Sequence, residues 1–297
     1  MNDPRSKINN YAPNKNDIEY SDESFTNFYE LSPSLTTDKG KYWISRGQNF
    51  IVVYAELEVG EIITRDNQLD EYMIIQPDLN TRLEILINQE HMMLDEFSIS
   101  IIPPGNSEIS VKSSGRYIFI FSTLNLDLIK YCLNKDDYIN RHHNIPEFKS
   151  WPKPTDGFKV RTYTLDVPSD PNRFGKIWRC TNFMVSFVPL ANGPRDITKL
   201  SPHLHEDFEQ CSFVLDGEFT HHIRFPWTSN KNKWKLDKHI RCKSPSMMVI
   251  PAKAIHTSCS EAYGVNQLID IFSPPRLDFS EIPGWVLNSE DYPILKD

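Results

Sequence analysis

His203-Leu204-His205-Glu206-Asp207-Phe208-Glu209 and, further on, Pro251-Ala252-Lys253-Ala254-Ile255-His256 are the stretches that decide how this chain reads. Together they supply three imidazoles and one carboxylate in an order that can close around one metal ion. His203 and His205 stand two residues apart, so on an extended strand both side chains leave by the same face. Glu209 keeps their parity and is expected to point inward from the next stretch of strand. His256 follows a proline turn at the head of a β-prone run and is the expected fourth ligand.

These residues resemble the paired motifs of the cupin superfamily, small β-barrels that hold a metal through two His and a Glu from a first motif and a third His from a second. All four ligand positions match. Gly217 falls one residue later than the family pattern asks, Lys253 stands where a turn glycine belongs, Pro245 replaces the leading glycine of the second motif, and Ser260 replaces an Asn. Those departures concern turn geometry and leave the ligand set whole. The competing reading is a barrel that keeps the same side chains as a hydrogen-bonded core network.

Working outward, short β-prone runs at 49–58, 71–76, 83–87, 97–102 and 117–122 alternate with turn residues, the pattern of an all-β sandwich or barrel. The second half repeats the first. Asn49-Phe50-Ile51-Val52-Val53-Tyr54, ending at Gly60, aligns with Asn182-Phe183-Met184-Val185-Ser186-Phe187, ending at Gly193, at a constant offset of 133. In the first copy Arg65-x-Asn67-x3-Glu71 stands where the second has His203-x-His205-x3-Glu209, and Pro103 to Glu108 stands where the second has Pro251 to His256. A set of Arg65, Asn67, Glu71 and Glu108 has no imidazole and carries a guanidinium that repels cations, so no transition metal is expected there. Arg65 and Glu71 are instead expected to pair as a cross-link.

The resemblance therefore becomes an all-β chain of two tandem cupin barrels (double-stranded β-helix, or jelly-roll), joined by a short helical linker. The expected map is an irregular arm over 1–40, a degenerate barrel over 41–125, a linker with a short helix over 126–155, a metal-competent barrel over 156–275, and a tail over 276–297.

With 297 residues, 39% hydrophobic and 24% charged, the composition is that of an ordinary globular chain. A net charge of -8 and a pI near 5.6 argue against general nucleic-acid binding. No apolar run approaches the roughly 20 residues that span a bilayer. The polar amino terminus lacks the apolar core of a signal peptide, which makes the cytoplasm the default compartment. Five cysteines without a Cys-x-x-Cys spacing suit reduced thiols. Edge pairing into a homodimer is left open.

Strand parity after Glu209 gives Cys211, Phe213 and Leu215 as the expected neighbours of the metal, an apolar set without a general base. The connection between Gly217 and Pro245 exceeds its first-copy counterpart by about ten residues. As a lid, it offers Arg224 and Trp227 as pocket residues. His221 and His222 on the same hairpin are expected to serve as surface residues.

The resemblance implies one divalent transition metal, with Fe(II) favoured and Zn, Mn or Ni as alternatives. The leading expectation is a mononuclear non-haem Fe(II) dioxygenase for a small oxygenated substrate, because no base near pH 7 is visible on these strands, with Tyr163, Tyr263 or Asp207 left open as a base from elsewhere. The alternatives are a redox-neutral isomerase or lyase acting on a carbohydrate or keto acid, and a non-catalytic binding barrel.

Overall fold

The computed structural model describes residues 19–294; the first part of the expected amino-terminal arm lies outside them. The architecture is nearly all β, with helical turns at Leu126–Ile129 and Leu277–Ser280. Among the described residues no helix is long and apolar enough to cross a membrane. All five cysteines are free and buried.

Each half pairs a large sheet with a small one. In the first half the large sheet runs, in spatial order, Arg161–Thr164, Ser98–Ile102, Tyr72–Gln76, Gly115–Ser122, Phe50–Leu57, Gly40–Arg46 and Leu35–Thr36. Its small sheet is Ile62–Gln68, Gly105–Val111, Leu83–Ile87 and Glu90–Leu94. In the second half the large sheet runs Ser24–Asn27, Ser246–Ile250, Glu209–Asp216, Val265–Ser273, Met184–Phe187 and Lys176–Arg179. Lys238–Lys243, Glu218–Arg224 and Ile255–Ser260 form its small sheet.

The two large sheets are buried on both faces, which is why their strands read as near-continuous apolar runs. Along Phe50–Leu57, Phe50, Val52 and Tyr54 enter a core shared between the barrels, whereas Ile51, Val53, Ala55 and Leu57 fill the first barrel. Along Glu209–Asp216, Cys211, Phe213 and Leu215 enter the shared core, whereas Val214 packs inside the second barrel. Any site inside the second barrel must therefore draw on the even-numbered residues of this strand.

Two strands are exchanged between the halves, which corrects the expected domain limits. Ser24–Asn27, inside the segment expected to be an irregular arm, pairs with Ser246–Ile250 of the second barrel, with Ser24 opposite Val249. Arg161–Thr164, expected to open the second barrel, pairs with Ser98–Ile102 of the first. Each barrel is completed by the segment that precedes the other. The tail returns to the junction, where Tyr292 is 1% exposed.

Candidate metal centre

His203 and His256 are held by an isolated antiparallel bridge in which each backbone N–H donates to the other's carbonyl, at 3.0 and 2.8 Å. Their ring centres lie 4.5 Å apart, His205 and His256 lie 4.9 Å apart, and His203 and His205 lie 6.4 Å apart. The three imidazoles thus meet at the mouth of the second barrel.

Hydrogen bonds fix which nitrogen of each ring is free. His203 Nδ1 donates to the Ser201 carbonyl at 2.9 Å, and His256 Nδ1 donates to the Ala254 carbonyl at 3.0 Å, so each Nε2 keeps its lone pair. His205 Nε2 donates to Gln210 Oε1 at 2.9 Å, which leaves the lone pair on Nδ1. His205 Nδ1 and His256 Nε2 are buried without a hydrogen-bond partner. Burial and neighbouring imidazoles push His205 down to about 2; burial, opposed by the Ala254 carbonyl, pushes His256 down to about 4. Both are neutral near pH 7, the state a metal ligand needs.

Two imidazoles bound at right angles to one ion have ring centres roughly 4.5 to 5 Å apart. Two of the three pairs meet that condition. The third is wider because the His205 ring lies on Phe208, with centres 4.0 Å apart, and is tied to Gln210. Accordingly, no group of three or more His, Cys, Asp or Glu side chains among the described residues stands as a ready ligand cluster. The orphaned buried lone pairs and the fixed tautomers nonetheless fit a divalent ion, with a rotation of His205 as the adjustment required.

Glu209 is not part of this group, contrary to the expectation drawn from parity. Its carboxylate accepts the backbone N–H groups of Gln48 at 2.9 Å and Asn49 at 3.1 Å, across the junction in the other barrel. Gly47 makes room for it, since a Cβ there would stand 2.6 Å from Glu209 Oε2. The physical reason is a bend at Glu206 and Asp207. His203 and His205 precede the strand, the bend resets the pleat, and the strand begins at Glu209 facing the shared core. Burial raises the Glu209 carboxyl to about 7, against the two amide donors that lower it.

Glu71, its counterpart in the first barrel, does the same in reverse. It accepts Thr181 N–H at 3.1 Å, Thr181 Oγ1–H at 2.8 Å and Tyr292 O–H at 2.8 Å. The expected Arg65–Glu71 pair is therefore absent. Arg65 donates instead to Asp127 at 2.6 Å, to Asn125 and to Gln68. Asn67 N–H donates to Asn106, and Glu108 lies half-buried on a strand, so these four residues do not converge.

Cys211 and Phe213 are corrected with Glu209: both lie in the shared core, away from the histidines. Facing the site instead are Gln210 and Asp270, which line one cavity of about 420 Å³ with His203 and His256. Asp270 Oδ1 accepts Ser212 Oγ–H at 2.6 Å and Gln210 Nε2–H at 3.2 Å. Asp270 is 6% exposed, and burial raises its carboxyl to about 6, with the Ser212 hydrogen bond the largest opposing influence. This is a buried acid that strand parity hid. Its sequence signal is a lone acid inside the apolar run Leu268-Ile269-Asp270-Ile271-Phe272.

His221 is also inside the barrel rather than on the surface. It is 1% exposed, its Nδ1 lies 2.8 Å from Ser258 Oγ, and its Nε2 has no partner. His222 faces outward onto His239.

Arg224 and Trp227 do not line the cavity. Arg224 is held outside by Asp237 at 2.5 Å, and Trp227 stacks on Trp234 with ring centres 4.5 Å apart. The wall expected from the long hairpin is supplied by Phe174 and by the segment Val188 to Arg195.

Two jelly-roll barrels in tandem, with their large sheets back to back, define the fold of the two-barrel cupins. A solved oxalate decarboxylase from Lactobacillus farciminis, in its formate complex, superposes with a TM-score of 0.55 at 11% identity, covering 85% of this chain and 86% of that one. AerE from Microcystis aeruginosa gives 0.54 at 10%, covering 86% and 98%. A variant of Bacillus subtilis oxalate decarboxylase gives 0.52 at 11%, covering 92% and 84%. At such identities the likeness is one of fold alone. No protein-family model matches the chain, and no curated protein does.

Proposed function

We propose that this chain is a metal-dependent enzyme that moves a proton on a small oxygenated substrate, with His203, His205 and His256 holding the metal and Asp270 acting as the base. The observation that carries the reading is the buried Asp270 carboxylate, which shares one cavity with His203 and His256. Its Oδ1 is committed to Ser212 and Gln210, and among the described residues no hydrogen bond occupies Oδ2. Oδ2 is the atom that takes the proton from substrate and returns it.

His203, His205 and His256 would hold a divalent ion, which would supply Lewis-acid polarisation of a carbonyl or hydroxyl oxygen. Around it, Gln210 orients both His205 and Asp270 through one amide. The fixed tautomers keep a lone pair on each ring, and the apolar wall excludes water. Three imidazoles without Glu209 form a neutral donor set, so a divalent ion held by them would keep its full charge. The expected Fe(II) dioxygenase rested on the lack of a base, and Asp270 removes that ground. A redox-neutral isomerase or lyase is the better-supported class, with Zn, Mn or Ni as suitable as Fe.

Elemental analysis of protein purified without added metal or chelator should find about one equivalent of a transition metal, retained in Asp270→Asn and lost in His256→Ala. Asp270→Asn should also slow solvent-deuterium exchange at the carbon beside a 2-oxo acid carbonyl by about 10²- to 10⁴-fold. Full exchange activity in that variant, or oxygen consumption coupled to turnover of the iron-loaded protein, would sink the proton-transfer reading.

A further inference from the structure

We infer that the substrate has two halves, an oxygen-bearing head seated at the histidines and an apolar body of several carbons lying against the apolar residues that line the same cavity. The inference rests on the same site as the proposed function and names its substrate class. The lining of the cavity of about 420 Å³ includes the polar groups of His203, His256, Gln210 and Asp270. It also includes the apolar side chains of Phe174, Val188, Pro189, Phe219 and Leu268. A two-carbon diacid would leave most of that space empty, and the apolar lining would gain nothing from it.

Charge points the same way. Arg195 is the one cation among the residues lining the cavity. It already donates to the carbonyls of Ser258 at 2.9 Å and Lys199 at 3.0 Å and to Ser201 Oγ at 3.0 Å. The Asp270 carboxylate lines the same cavity, so a second carboxylate that does not reach the ion has only the already engaged Arg195 as a cationic partner in the lining. A monoacid with a hydrocarbon chain suits the walls.

The test is a calorimetric titration of the protein as purified with a series of 2-oxo acids from pyruvate to 2-oxooctanoate, with oxalate alongside. Affinity should rise roughly fourfold for each methylene buried, until the cavity is full. Leu268→Ser and Val188→Ser should each flatten that rise; Val188 is only half-buried and serves should Leu268→Ser not fold. A flat series, or oxalate binding as tightly as the long-chain acids, overturns the inference. Metal analysis separates the two readings: a protein with its metal and a flat series loses the substrate class and keeps the metal centre. A rising series in a metal-free protein does the reverse.

Discussion

Glu209→Ala is expected to lower the stability of the protein by roughly 3–5 kcal/mol and to leave its metal content unchanged. The substitution strips the acceptor from two amides, that of the buried Asn49 and that of the half-buried Gln48. An orphaned buried donor costs about 1–3 kcal/mol, and the vacated space adds a cavity term. Glu209→Gln keeps one amide oxygen and should cost less. Urea unfolding alongside elemental analysis decides the matter: a stable, metal-free Glu209→Ala protein would restore the carboxylate to the ligand set and refute the clasp between the barrels. Glu71→Ala makes the mirror-image prediction, since Thr181 and Tyr292 lose their acceptor.

His221→Gln is expected to gain on the parent protein by about 2–3 kcal/mol when both, freed of metal, are taken from pH 7.5 to pH 4.5. Burial, helped by His256 and His222, pushes the folded imidazole of His221 down to about 3, against an unfolded value of 6.5. Between those values the unfolded chain binds a proton that the folded one refuses, so stability falls as the pH drops below about 6.5, and the loss is complete near pH 3. Glutamine titrates in neither state and escapes that loss. His205 and His256, also held low, add to the acid sensitivity of the parent. Glu209 and Asp270 work against it, because their raised folded values let the native state take up protons first. Comparing two proteins that differ only at His221 cancels all four. Chemical denaturation at the two pH values reads the result, and an equal stability difference at both would mean that this imidazole is not held neutral.

The fold was legible because its signals repeat: the offset of 133 between Asn49-Phe50-Ile51 and Asn182-Phe183-Met184 marks two barrels before any contact is known. The three histidines were legible from their order and spacing. The fourth position was not, because strand parity carries information only along unbroken strand, and the bend at Glu206 and Asp207 shifts every later residue by one face. That one slip displaced Glu209, Cys211 and Phe213 together and concealed Gln210. Asp270 lay beyond it for another reason: it comes from a strand that borders Glu209–Asp216 in space and is far from it in sequence. Arg224 and Trp227 failed because a longer loop need not fold over the nearest mouth. Here it turned outward, and the shorter segment after Phe187 became the wall.

The exchange of Ser24–Asn27 for Arg161–Thr164 has a consequence on the ribosome. Val249, the partner of Ser24, is made some 225 residues after it. At about 5–20 residues per second, the wait is on the order of ten to forty seconds. Throughout that time the first barrel can close, because Arg161–Thr164 arrives soon after Ser98–Ile102. The second cannot close its outer edge until Ser24–Asn27 swings across to Ser246–Ile250. Translation thus imposes a timetable in which one barrel can mature before the strand that completes the other has been made.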